Sequence, residues 1–345
     1  MIIYTIDEIL QINNPTQLFP NDKIKAKQIK NDLLKKYHPD LHGGDEKYSR
    51  VTSKINELYL QAIESIEKGL WIDENLIKLK GVDGKTYSMS FNKEYDFELG
   101  KFYIGNKSIL YLIEKDFEDL VDNALKRINS LNYANEDMRN EFEKYLPKIL
   151  KKIETIEGKI CLLIEKTEDV YCLKDILNYY NGKIPAKHVA WILSSIYNIL
   201  CFLDFNKISH NGISIENYFI SPKFHSGLLL GGWWYAVPYK EKMIGTTSEI
   251  YDIMPPDIQD TKIASCSVDL ESVKLLGRIL LGDKVGHSFI NDSNIPEPFS
   301  NWVRGVSCDD SLKEYKLWTK ALISSFGERK FVEMNIDKNL IYKKN

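Results

Sequence analysis

The sequence predicts a multidomain chain in which an all-α helical hairpin is followed by a larger α+β region of two lobes. Three observations predict this. Two stretches with helical periodicity meet near a proline at position 39, residues 86–113 alternate in short Tyr- and Phe-rich runs, and most of the chain after residue 186 has helical apolar spacing. The length of 345 residues also fits two or three domains.

The first long helical stretch covers residues 22–37 and has a basic surface. Its apolar residues recur every three or four positions and are Ala26, Ile29, Leu33, Leu34 and Tyr37. The other faces carry lysines at positions 23, 25, 27, 30, 35 and 36. Pro39 cannot continue the helix, because it lacks an N–H and restricts His38. A second helix is predicted over residues 48–68, so His38-Pro39-Asp40 is expected at the exposed tip of two antiparallel helices.

The stretch Leu34-Lys35-Lys36-Tyr37-His38-Pro39-Asp40, followed by Gly43-Gly44-Asp45 and Ile55-Asn56-Glu57-Leu58-Tyr59, resembles the J-domain of DnaJ-type co-chaperones. The resemblance implies that residues 1–70 form a J-domain that docks on a DnaK-type chaperone and triggers its ATP hydrolysis. The chaperone-binding residues that it implies are Lys30, Lys35, Lys36, His38, Pro39 and Asp40. Thr52 stands where the family usually has Phe, so the packing of the third helix is expected to differ. The alternative is an ordinary helical hairpin whose turn contains this tripeptide.

Composition narrows the class of protein. The net charge of −3 gives the chain no overall preference for nucleic acid or membrane, and the basic helix lacks the interleaved aromatics of a nucleic-acid site. The five cysteines are scattered and form no Cys-x-x-Cys pair, which predicts a reducing compartment with no zinc site and no disulfide framework. No signal peptide or membrane-spanning apolar run is recognised. We therefore expect a cytoplasmic protein without a metal.

The rest of the chain is predicted as a connector and two lobes. Residues 71–85 are interpreted as the connector, residues 86–165 as a small strand-rich lobe, and residues 166–345 as a larger helical lobe. The pattern predicts hairpinned strands over residues 86–113 and further strands over residues 148–154 and 159–165. Helices are predicted over residues 118–131, 136–146 and 186–205.

The order of elements in residues 80–335 resembles the protein-kinase fold, and residues 208–220 carry the closest match. In the family motif His-Arg-Asp-x-Lys-x-x-Asn, His210 matches the histidine and Asn217 the metal-binding asparagine. Gly212, however, replaces the catalytic aspartate. Leu230 falls where the magnesium-binding aspartate of the Asp-Phe-Gly motif is expected. The alternative is an unrelated helical domain in which His210 and Asn217 form hydrogen bonds at a helix-to-strand turn.

Four further positions complete the comparison. Asp257 in Pro255-Pro256-Asp257 matches the Ala-Pro-Glu motif, and Asp269 matches the aspartate that supports the catalytic loop. Ile113 occupies the position of the ATP-binding lysine, with Lys115 as the one substitute nearby. Phosphoryl transfer depends on charge neutralisation by a lysine, magnesium ligands and a catalytic aspartate. The resemblance therefore implies a pseudokinase with no catalytic residues. We expect no cofactor, and the sequence leaves ATP binding open without predicting it.

The run Gly231-Gly232-Trp233-Trp234-Tyr235 has two interpretations. The glycines let the backbone approach neighbouring groups closely, while the three aromatic residues pack in the core, and we favour this interpretation. The other is an aromatic platform for a partner, because large aromatic residues concentrate at interface hot spots.

These residues predict a co-chaperone that is not itself an enzyme. Its partners would be a DnaK-type chaperone and a client protein of unknown identity, with neither nucleic acid nor membrane. One alternative is a divergent kinase-like phosphotransferase with an accessory J-domain, using Lys115, Glu216, Asn217 or Asp269. Another is an interaction protein whose J-like module no longer docks. Fusions of this kind resemble proteins of large bacteriophages, which implies a host chaperone and the host cytoplasm.

Overall fold

The computed structural model describes residues 4–68, 71, 75–328 and 330–342. The chain divides into two compact units. The first unit consists of Met1–Tyr95, Tyr103–Asn106 and Lys338–Asn345, and the second of Asp96–Phe102 and Lys107–Asp337. N-terminal helices are followed by an α+β region that contains sheets, which confirms the coarse fold class predicted from the sequence.

Three helices begin the first unit. They are α1 (Ile6–Gln11), α2 (Lys23–Tyr37) and α3 (Glu46–Glu67), with 3-10 helices at Pro15–Gln17 and Pro39–His42. Side chains define their starts: Thr5 and Glu8 form a capping box at α1, and Asp22 and Asp45 accept backbone hydrogen bonds at the starts of α2 and α3. The predicted helices on either side of Pro39 are confirmed.

The core of these helices follows the apolar spacing of α3. Val51, Ile55, Leu58 and Ala62 recur on one face of α3 and are fully buried against residues of α1 and α2. Burying each large aliphatic side chain contributes about 1.5–3 kcal/mol to folding. This packing holds the loop between α2 and α3 at one end of the helix pair.

A hairpin and a short helix complete the first unit. Strands β1 (Asn75–Lys80) and β2 (Thr86–Phe91) pair antiparallel from Asn75↔Phe91 to Lys80↔Thr86, and α13 covers Lys338–Ile341. Strand β1 therefore lies within residues 71–85, which the sequence analysis interprets as a connector. The alternation Ile77-Lys78-Leu79-Lys80 has the period of two of a strand, and Leu79 is buried while the two lysines are exposed.

The second unit contains a sheet and two helices from the middle of the chain. The strands are β3 (Lys93–Phe97), β4 (Gly100–Ile104), β5 (Ser108–Glu114), β6 (Ile149–Glu154) and β7 (Lys159–Glu165), in the sheet order β3-β4-β5-β7-β6. Asp96–Phe102 contributes this unit's portions of β3 and β4. The helices are α4 (Glu118–Asn129) and α5 (Glu136–Phe142). The predicted strands and both predicted helices are confirmed.

The remainder of the second unit is mainly helical. Its helices are α6 (Leu173–Tyr179), α7 (Ala186–Phe205), α8 (Ser248–Tyr251), α9 (Pro256–Thr261), α10 (Cys266–Leu280), α11 (Glu297–Arg304) and α12 (Ser311–Phe326). One short strand, β8 (Tyr171–Cys172), precedes α6, and four more follow α7: β9 (Ile208–Ser209), β10 (Tyr218–Ser221), β11 (Ser226–Leu229) and β12 (Val237–Pro238). β9 pairs with β12, and β10 pairs with β8 and β11.

Helix α7 is the apolar centre of this helical part. Among the described residues, it is the one helix long and apolar enough to cross a membrane by length and composition. The core helix of a folded domain has the same length and composition, and most of α7 is buried inside the structure.

Candidate functional site

The loop between α2 and α3 presents the predicted tripeptide at the surface of the first unit. His38 ends α2 with extended backbone angles, and its Nδ1 atom accepts a hydrogen bond from the N–H of Asp40 at 3.3 Å. Gly43 and Gly44 have φ of +67° and +77°, a left-handed conformation that glycine adopts most readily, and they turn the chain into α3. The Asp40 side chain is 87% exposed. The loop therefore offers a carboxylate to solvent beside a half-exposed imidazole.

The predicted lysines lie on α2, and two of them rest on aromatic rings. The Nζ atom of Lys30 lies 4.6 Å from the centre of the Tyr59 ring, and that of Lys36 lies 4.8 Å from the Tyr37 ring. Lys35 and Lys36 occupy the last turn of α2, where positive charge is favoured by the helix dipole. The axial rise of a helix places Lys30 about 9 Å before Lys36. The three lysines thus point to different sides of α2, and Lys35 and Lys36 lie next to the tripeptide.

In the second unit, Asp269 organises the loop that follows α7. Its carboxylate accepts hydrogen bonds from the backbone N–H groups of His210 and Asn211 at 2.7 and 2.8 Å. The hydroxyl of Ser209 donates to the same carboxylate at 3.3 Å. Burial raises the pKa of Asp269 to about 6, and these hydrogen bonds act in the opposite direction. The carboxylate therefore serves to hold the loop backbone.

Gly212 and Asn217 meet the glycine pair Gly231-Gly232 at close range. The Asn217 side-chain amide donates to the Gly212 carbonyl at 2.8 Å, and the Gly231 N–H donates to the Asn217 carbonyl at 3.0 Å. A Cβ atom on Gly212 would lie 2.8 Å from the Gly232 carbonyl oxygen. A side chain at position 212 would therefore press against backbone. The structure brings together His210, Gly212, Asn217 and Asp269.

The side chain of His210 is fully buried. Its ring meets the edge of Trp233 with ring centres 5.0 Å apart. Burial lowers the pKa of His210 to about 3. The imidazole is therefore neutral in the folded protein at neutral pH.

Replacement of His210 by Leu is expected to change the pH dependence of stability. Below pH 6.5 the unfolded chain protonates this histidine while the folded chain stays neutral, so the wild type loses stability as the pH falls. From pH 7 to pH 5 the difference in free energy of unfolding between variant and wild type should shift by about 2 kcal/mol in favour of the variant. Urea denaturation at several pH values measures it, and parallel profiles would contradict the prediction. The variant must be compared with the wild type because Asp269 also titrates in this range. Its pKa is higher in the folded protein than in the unfolded chain, so protonation of Asp269 stabilises the fold as the pH falls below about 6.

The aromatic run after Gly232 belongs to the core. Trp233 and Trp234 are each 1% exposed, and Tyr235 is 6% exposed. Trp234 packs against the rings of Phe97 and Tyr111, and the side-chain amide of Asn123 on α4 donates to the carbonyl of Trp234 at 3.1 Å. This confirms the interpretation as core packing, and the aromatic platform is ruled out by burial.

The other predicted positions, Ile113, Lys115, Leu230 and Asp257, add no charged side chain to the group formed by His210, Gly212, Asn217 and Asp269. Ile113 is fully buried in β5. Lys115 follows β5, and its ammonium pairs with Glu154 and, at 3.3 Å, with Glu118. Leu230 is buried after β11, and Asp257 is exposed in the first turn of α9.

These residues do not fit a magnesium–ATP site. Asp269 supplies the carboxylate beside His210, Gly212 and Asn217, and both of its oxygens accept hydrogen bonds from backbone N–H groups of the loop. The Asn217 side chain is already bonded to Gly212. Within the described ranges, no group of three or more His, Cys, Asp or Glu side chains could hold a metal ion. No chemical step through a nucleotide or metal is derived from this geometry.

A groove of about 1360 Å³ lies beside residues 165–170 of the second unit. Its wall includes Lys166, which is 5% exposed. The Lys166 ammonium donates to the carbonyls of Thr167 and Val170 at 3.2 and 3.1 Å. These two carbonyls satisfy a charged group that is otherwise withdrawn from water.

Comparison with known proteins adds no assignment. No protein-family model matches the chain, and no curated protein matches it. The functional argument therefore depends on the residues and geometry described above.

Proposed function

We propose that this chain is a J-domain co-chaperone that binds a DnaK-type chaperone and stimulates its ATPase. The observation that carries the proposal is the exposed His38-Pro39-Asp40 turn between α2 and α3, with the Asp40 side chain 87% exposed. An exposed carboxylate is suited to a charge-assisted hydrogen bond with an arginine of a partner. The family resemblance implies such an arginine on the chaperone.

The basic residues of α2 would supply the long-range part of recognition. Lys30, Lys35 and Lys36 lie on the helix that ends at the tripeptide, so an acidic patch on the chaperone would be attracted to the same end of the module. Stimulation requires that the module bind one conformation of the chaperone more tightly than another. The chain itself performs no chemistry in this mechanism, which takes place in the cytoplasm, of the host if a bacteriophage encodes it.

The second unit would act as a pseudokinase scaffold that selects or places a client protein. Support for a non-catalytic role comes from Gly212, Leu230 and Ile113 at the positions where the kinase resemblance requires charged residues. Asp269, the nearby carboxylate, is occupied by backbone N–H groups. A scaffold needs binding surfaces and a stable fold, and neither requires these charges.

Asp40→Asn is expected to abolish stimulation of a purified bacterial DnaK-type chaperone without unfolding the module. Asn keeps the shape of the side chain but loses the negative charge of the proposed contact with arginine. Because the side chain is exposed, the substitution should change the thermal midpoint little. The measurement is steady-state ATP turnover of the chaperone, with circular dichroism to follow folding. His38→Gln should also remove stimulation.

Glu57→Gln is the matched control, since it removes one exposed carboxylate from α3 of the same unit, away from the tripeptide loop. It should stimulate like the wild type. Stimulation by Asp40→Asn equal to that of the wild type would refute the proposed role of the loop. An inactive wild type with several bacterial chaperones would refute the proposed function.

The catalytic alternative is a divergent kinase-like phosphotransferase. Its proposed substitute lysine, Lys115, already pairs with two carboxylates, which argues against a role on phosphate. Thermal unfolding with and without Mg-ATP separates the two proposals, because a ligand of the folded state raises the midpoint. A midpoint raised by Mg-ATP would favour the alternative.

A further inference from the structure

The last carbonyl groups of α2 are bonded by two side chains from outside the helix. A helix end leaves its final carbonyls without intrahelical partners, and Pro39 has no N–H to offer them. The Tyr37 carbonyl accepts a hydrogen bond from the Thr52 hydroxyl at 3.1 Å. The Lys36 carbonyl lies 3.0 Å from His42 Nε2, which donates to it. Both carbonyls directly precede the tripeptide.

The two donors come from different segments, His42 from the loop and Thr52 from α3. His42 belongs to the loop itself, and its ring stacks on Tyr48 with ring centres 3.8 Å apart and an interplanar angle of 12°. Tyr48 and Thr52 are four residues apart on α3, so they lie on one face of that helix. Through these contacts α3 holds both the end of α2 and the end of the loop.

We propose that His42, Tyr48 and Thr52 form a carbonyl clamp that positions the His38-Pro39-Asp40 turn for its partner. The inference rests on the proposed function and adds to it three positioning residues that do not themselves contact the chaperone. Thr52 takes the place of the Phe that is usual in the family, so here a hydrogen bond serves at a position where the family uses packing. A loop held in its binding conformation loses less conformational entropy on docking.

Two substitutions, Thr52→Val and His42→Phe, test the clamp, and each of them removes one hydrogen bond. Thr52→Val keeps the shape of the side chain and removes the hydroxyl, whereas Thr52→Ser retains it and serves as the rescue variant. His42→Phe keeps an aromatic ring on Tyr48 and removes the donor. Loss of one such hydrogen bond should raise the chain concentration that gives half-maximal ATPase stimulation by about five-fold. Maximal stimulation should be unchanged, because Asp40 and His38 remain.

Amide hydrogen exchange gives a second measurement that needs no chaperone. The N–H groups of Leu41 and Gly44 donate to the carbonyls of His38 and Pro39 at 3.0 Å, so they report on the closed loop. Thr52→Val and His42→Phe should speed exchange at both amides and leave the buried centre of α3, at Ile55 and Leu58, unchanged.

Each outcome decides the inference. Unchanged exchange at Leu41 and Gly44 would overturn the clamp, even if stimulation falls, because the side chains would then act directly on the partner. Faster exchange with rescue by Thr52→Ser would support it. If the wild type does not stimulate any chaperone, the proposed function fails while the exchange data still decide whether the clamp exists.

Discussion

Replacement of Lys274 by Met is expected to lower the free energy of unfolding by about 3–5 kcal/mol. The Lys274 ammonium lies 3.1 Å from the Glu314 carboxylate, and the two side chains are 3% and 1% exposed. The ammonium also donates to the Val306 carbonyl at 3.1 Å and lies 4.7 Å from the centre of the Trp302 ring. Met is an unbranched side chain of similar volume, so the loss arises mainly from a carboxylate left buried without its cation. Urea denaturation of the full chain measures it.

The matched control is the double variant Lys274→Met/Glu314→Leu. Removing both charges avoids the unpaired carboxylate, so the double variant should be more stable than Lys274→Met alone. The Cys308 N–H, which donates to Glu314 at 2.9 Å, loses its acceptor in the double variant and accounts for a smaller residual loss. A single variant as stable as the wild type would contradict the prediction.

Asp269→Ala should destabilise the second unit by about 2–4 kcal/mol, because it leaves the buried N–H groups of His210 and Asn211 without an acceptor. Asp269→Asn keeps one side-chain oxygen and should lose less. Thermal or urea denaturation provides the measurement, and amide exchange at His210 and Asn211 should locate the effect.

Ser272→Ala is a control for Asp269→Ala on the same helix. The Ser272 hydroxyl is buried and donates to the Val268 carbonyl within α10, so its removal costs one hydrogen bond and leaves no N–H group unpaired. We expect a loss of about 1 kcal/mol or less. If Asp269→Ala cost no more than Ser272→Ala, the carboxylate would not be holding the loop.

The candidate site of the first unit was largely predictable from the sequence. The apolar spacing of α2 and α3 and the arrest at Pro39 placed His38 and Asp40 at an exposed turn, since both signals are local. The contacts of Thr52 with Tyr37 and of His42 with Lys36 were not predictable. Each joins residues six or more positions apart, and their pairing depends on how α3 packs against α2.

In the second unit the sequence singled out Asp269 as a residue that supports a loop, and the structure shows its carboxylate bonded to the loop at His210. No pattern in the sequence indicated the ion pair between Lys274 and Glu314 or the burial of Lys166. Charged residues are usually exposed, and a local pattern cannot say which distant apolar groups will exclude water from them.

The sequence alone therefore determined the helices on both sides of Pro39 and most of the strands of the second unit. These properties depend on periodicity, on proline geometry and on residue identity, which are all local. Only the tertiary structure decided that β1 lies within the predicted connector, that Trp233 and Trp234 are buried, and that Asp269 is occupied by backbone N–H groups. These features depend on long-range packing and on the exclusion of water, which arise only when distant segments of the chain meet.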